Sequence, residues 1–137
     1  MLKIPFNTDK VELALSHHLW NCVVKPETKA TLSMDDKGLH VHLVVSESNA
    51  QISAKEQQEP MLMVCQDSAV ELFLAFPDEE FDENFKPQLE HCLYLNIEIN
   101  AAGFCYAKHG HSRKGRTAFT LDEIRALNIQ SSISDNE

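Results

Sequence analysis

The sequence predicts an all-β fold, an antiparallel β-sandwich with one short C-terminal helix. Three observations predict it. Apolar and polar residues alternate over Leu39 to Ser46, Val70 to Phe76 and Leu93 to Ile99, the period of two that half-buried strands need. About six strand candidates follow one another without the strand-helix-strand alternation of parallel folds. Only Thr120-Leu121-Asp122-Glu123 carries a helix start, a capping box in which threonine and glutamate satisfy free amides.

The elements follow in order. Lys10 to Leu15 (KVELAL) alternates as a short edge strand, with a helical turn running into Leu19 and Trp20 as the alternative. Trp20 is the single tryptophan, either a core residue or a stacking platform for a ligand. Asn21 to Thr28, with Pro26, reads as a connection, and Ala30 to Met34 as a strand. Asp35-Asp36-Lys37-Gly38 is tight-turn chemistry and predicts a hairpin. Beyond it Leu39, Val41, Leu43 and Val45 share one face, while His40, His42, Val44 and Ser46 share the other.

Ser46 to Glu59 is a polar connection with room for one helical turn, and Pro60 to Cys65 is a short apolar run. Val70, Leu72, Leu74 and Phe76 then face the core and Glu71, Phe73 and Ala75 the other side, until Pro77 ends the strand. The acidic run Asp78, Glu79, Glu80, Asp82 and Glu83 reads as a solvated loop, since it lacks the spacing and glycine of an EF-hand. Leu93, Leu95, Ile97 and Ile99 continue the core face, with Tyr94, Asn96, Glu98 and Asn100 opposite. The turn Asn100 to Gly103 leads into Phe104-Cys105-Tyr106, and Lys108 to Arg116 reads as a basic loop presenting Arg113 and Arg116. The helix runs through Leu127, and residues 130–137 are expected to fray.

With 137 residues, 43% apolar and 24% charged, the chain is expected to form a single domain over 1–137. Its formal charge of −9 opposes binding to phosphate backbones or anionic membranes, so neither nucleic acid nor membrane is an expected partner. MLKIPFNTDKVE lacks the apolar core and cleavage site of a signal peptide, and a cytoplasmic location is expected. Cys22, Cys65, Cys92 and Cys105 are then expected as free thiols.

If their strands are neighbours, Glu71, Tyr94, Asn96, Glu98 and Asn100 form one surface of carboxylate, amide and phenol. Carboxylates and amides fork onto neighbouring hydroxyls, and an aromatic covers the C–H side of a sugar ring. Arg113 or Arg116 is placed to supply countercharge. Paired acids also suit glycoside hydrolysis, but binding without catalysis is the expectation, so the chain is read as a non-enzyme. The H-x-H pairs His40/His42 and His109/His111 have metal-ligand spacing and are equally ordinary as exposed histidines. No nucleophile elbow or phosphate loop is present.

The run from Trp20 through the strand ending at Glu47 carries one part of a resemblance, and Gln66 to Phe73 (QDSAVELF) another. Tyr94 to Asn100 (YLNIEIN), with Gly103, Arg113 and Arg116, completes it. Together they resemble the carbohydrate-binding family 9-like domains, β-sandwiches related to the sugar-binding modules of some xylanases. The match spans roughly residues 20 to 125, and its specific part is DSxVE paired with YxNxExN.

The resemblance implies an immunoglobulin-like or jelly-roll-like sandwich that binds saccharide. The polar contacts would come from Glu71, Asn96, Glu98 and Arg116, and stacking from Tyr94 or Trp20. It implies no cofactor beyond the calcium held by sugar-binding relatives. Those relatives clamp the sugar between two tryptophans, so a second platform here falls to Tyr94, Tyr106 or a phenylalanine. The usual domain also continues into further strands, which implies a C-terminally truncated member or a sheet edge covered by a protein partner or second copy. The alternative reading is a structural or protein-interaction sandwich that keeps the framework without the sugar site. Asp67 and Ser68 would then hold a strand entrance, and Asn100 and Gly103 would shape a turn.

Overall fold

The computed structural model describes residues 4–7, 9–16, 25–54, 56–57, 64–77 and 91–134. These form an all-β protein of two antiparallel sheets and one short helix. The chain divides into two compact units, Met1–Asn49 and Ala50–Glu137, each described by itself. Trp20, Cys22 and the acidic run from Asp78 to Glu83 lie outside the described residues. Among the described residues no helix is long and apolar enough to cross a membrane.

The first unit holds β1 (Val11–Leu15), β2 (Glu27–Asp35) and β3 (Gly38–Ser46) in the order β1-β2-β3. The register sets Leu13, Ala30 and Leu43 side by side, and likewise Val11, Leu32 and Val41, so the alternation read from the sequence becomes one apolar face. Lys10 to Leu15 thus gives a strand rather than a helical turn. The connection expected through Thr28 ends earlier, because Glu27 and Thr28 already pair with Ser46 and Val45. Gly38 closes the hairpin at φ +126, a conformation that side chains strain, and Asp35 Oδ1 accepts the Lys37 amide at 2.9 Å.

The second unit holds β4 (Ala69–Pro77), β5 (Cys92–Asn100), β6 (Cys105–Gly110) and β7 (Thr117–Ala118), in that order across the sheet. Helix α1 (Leu121–Ala126) follows. Ile97, Cys105, Ala107 and Ile124 form its buried core, flanked by Leu72, Leu74, Leu95, Ile99, Phe119, Leu127 and Ile129. A six-residue helix does not stand alone in water. Here the predicted capping box of Thr120 and Glu123 closes its first turn, and Ile124 ties it to the sheet's apolar face.

The basic loop is shorter than the sequence suggested. Lys108, His109 and Gly110 belong to β6, pairing with Asn96, Leu95 and Tyr94, and β7 was not anticipated. The backbone of that segment finds sheet partners despite its polar, glycine-bearing composition. The tail expected to fray is held at its second residue, where the Ser131 hydroxyl donates to the Ala101 carbonyl at 2.5 Å.

A polar network fixes the entrance to β4 and the turn after β5. The Asp67 carboxylate accepts from the Ser53 amide at 2.9 Å, the Ser53 hydroxyl, the Ala54 amide at 3.4 Å and Asn100 Nδ2 at 2.8 Å. Asn100, 2% exposed, turns its Oδ1 to the amides of Ala102 at 3.1 Å and Phe104 at 2.9 Å. Ser68 exchanges bonds with the Gln51 backbone at 2.8 and 2.9 Å. Asp67, Ser68, Asn100 and Gly103 therefore have architectural work, and this part of the motif is accounted for without a ligand.

Candidate functional site

The register of β4, β5 and β6 brings the predicted residues onto one face. Glu71 lies opposite Glu98, which lies opposite Tyr106; Phe73 lies opposite Asn96, which lies opposite Lys108; Tyr94 lies between Ala75 and Gly110. Directly paired residues in an antiparallel sheet point to the same side, so the face interleaves two carboxylates, one amide and three aromatic rings. Of the six residues picked from the sequence, Glu71, Tyr94, Asn96, Glu98 and Arg116 come together here. Trp20 lies outside the described residues.

Arg116 organises the far end of this face. Its Nη1 donates to Asn96 Oδ1 at 2.8 Å, and its guanidinium lies 5.7 Å from the centroid of the Tyr94 ring. Tyr94 in turn stacks on Phe73, with centroids 6.3 Å apart and planes 8° from parallel. Tyr94 is 7% exposed and Asn96 4%, whereas Phe73 is 55% exposed. On the neighbouring strand Lys108 Nζ sits 5.2 Å from the centre of the Tyr106 ring. The exposed Arg113 is not part of this arrangement.

Two features of the face are electrostatically unsettled. Asn96 Nδ2 is buried without a hydrogen-bond partner among the described residues. Burial raises the Glu98 carboxyl above its ordinary value, and the facing Glu71 raises it further; the neighbouring Asn96 amide and the Arg116 and Lys108 charges act against them. Groups held in such conflict are the ones a ligand can relieve.

Phe73, Tyr106 and Lys108 complete the face beyond the predicted set. Phe73 was legible through its alternation with Glu71, and Tyr106 as an alternative platform. Lys108 was hidden because its segment read as loop.

One histidine of each pair has a partner of its own. His40 Nε2 lies 2.8 Å from Asp35 Oδ1, and His109 meets Phe119 edge-on at 5.6 Å. Among the described residues no group of three or more histidine, cysteine or acidic side chains can hold a metal ion. Cys65, Cys92 and Cys105 are free thiols, as expected, and burial pushes Cys105 up to about 11, with Glu98 adding to the rise. That thiol is a core residue rather than a nucleophile. No protein-family model, no curated protein and no solved structure matches this chain.

Proposed function

We propose that this chain is a non-catalytic saccharide-binding module whose site is the polar face of β4, β5 and β6. The observation that supports the reading best is the interleaving of Phe73, Tyr94 and Tyr106 with Glu71, Asn96 and Glu98 on one sheet face. A sugar ring presents an apolar C–H side and a rim of hydroxyls, and this face offers a partner to each. An aromatic beside the carboxylates separates a sugar site from a bare polar sheet. The carbohydrate-binding family 9-like resemblance and the sandwich arrangement it implies belong to the same proposal.

Calorimetric titration with a panel of neutral and charged mono- and oligosaccharides tests it. Saturable binding that a folded Glu98→Ala variant loses supports the reading; absence of binding across the panel overturns it.

Phe73 and Phe76, 55% and 48% exposed on the edge strand β4, favour a second reading, a protein-interaction module. Concentration-dependent self-association abolished by Phe73→Ser, without sugar binding, would favour it.

A further inference from the structure

The carboxylate pair is the part of the face that hydroxyl binding alone leaves unexplained. Glu71 and Glu98 stand directly opposite each other, and among the described residues neither forms an ion pair. Among the described residues Arg116 and Lys108 act on Glu98 only through their charge, while their direct contacts go to Asn96 and Tyr94 and to Tyr106. Two acids facing each other on a partly buried surface repel, and a cation placed between them removes that repulsion.

The orientation of Asn96 says what kind of cation. A guanidinium only donates, so the atom Arg116 meets at 2.8 Å is the amide oxygen. Nδ2 then faces the carboxylates, a buried donor two residues along the strand from Glu98 that acts on its carboxyl but closes no hydrogen bond of normal geometry. A hard metal ion would draw on the two carboxylates but accepts no hydrogen bond, so it would leave Nδ2 as it is. A ligand with an acceptor oxygen next to a positive charge fits both groups. The chain's net charge of −9 adds long-range attraction for such a ligand and opposes an anionic sugar.

We infer that the site takes an amino sugar, its protonated primary amine between the Glu71 and Glu98 carboxylates and an adjacent hydroxyl oxygen accepting from Asn96 Nδ2. This rests on the saccharide-binding reading and narrows it to a ligand class. The amine donates to both carboxylates, charge-assisted bonds that a neutral hydroxyl does not match. The aromatic rings beside the pair cover the apolar side of the ring.

The test is a set of amide-shift titrations of the isotopically labelled chain at neutral pH with glucosamine, N-acetylglucosamine and glucose. Glucosamine is expected to bind about tenfold or more tightly than the other two, with shifts centred on Glu71, Asn96 and Glu98. Glu71→Gln, checked for retained amide dispersion, is expected to weaken glucosamine binding more than glucose binding, so that the preference disappears. Equal or tighter binding of glucose overturns the amine inference and leaves the saccharide site standing, as does an unchanged preference in Glu71→Gln. Failure of all three sugars to bind overturns both. Calcium chloride alone shifting the same amides would reassign the carboxylate pair to a metal.

Discussion

Arg116 holds Asn96 from above: the guanidinium donates to the buried amide oxygen at 2.8 Å while lying over the Tyr94 ring. One side chain thereby fixes the amide's orientation and one aromatic wall of the candidate site. Arg116→Met keeps much of the apolar stem but strands a buried carbonyl oxygen. The expected outcome is a loss of about 1–3 kcal/mol in urea unfolding and at least tenfold weaker sugar binding. Arg116→Lys should recover only part of either, because an ammonium cannot reproduce the planar contact with both Asn96 and Tyr94.

Glu98→Gln should separate stability from binding. The folded state raises the Glu98 carboxyl above its unfolded value, so it binds a proton more tightly than the unfolded chain does. Its contribution to stability therefore falls as pH rises from the unfolded value through the raised folded one. At neutral pH the uncharged amide relieves that conflict. The variant is expected to melt at a higher temperature than the parent and to bind saccharide more weakly, as scanning calorimetry and titration will read.

Asp67 has the opposite sign. Hydrogen bonds from Ser53, then from Asn100, hold its carboxyl down from 3.8 to about 2. Its contribution is fully present above the unfolded value and is lost as pH falls from about 3.8 toward 2. Asp67→Asn should thus be destabilised at neutral pH, and its deficit relative to the parent should shrink across that window. Melting temperatures of both proteins between pH 2 and pH 6 check this.

Gly103 sits at φ +84, and a β-carbon there would meet Ser131 Cβ at 3.1 Å. Gly103→Ala is expected to cost about 1–2 kcal/mol, through strain at this backbone angle and crowding of the held tail. Gly38→Ala, with nothing within 4 Å of the added carbon, should cost less despite its own positive φ.

The alternation of Leu93, Leu95, Ile97 and Ile99 made β5 and its polar face legible, because a period of two needs only local sequence. The Asp-Asp-Lys-Gly turn did the same for the β2–β3 register. Whether Glu71 would face Glu98 was not legible: the segment joining their strands is long and carries no turn signal that fixes a register. Gln51 and Ser53 gave no sign of their bonds to Ser68 and Asp67, since a polar connection looks the same whether it is solvated or tied to a distant carboxylate. Lys108 to Gly110 misled for a related reason. Their strand identity comes from pairing with Tyr94 to Asn96, and tertiary pairing overrides local composition.

The central claim, that the face of β4, β5 and β6 binds saccharide, is tested most directly by mapping amide shifts with the best-binding sugar. The account predicts saturable changes clustered at Glu71, Phe73, Asn96, Glu98 and Tyr106, with those at His40 and His42 unmoved. Shifts confined to the β1–β3 sheet, or none at saturating sugar, would contradict it.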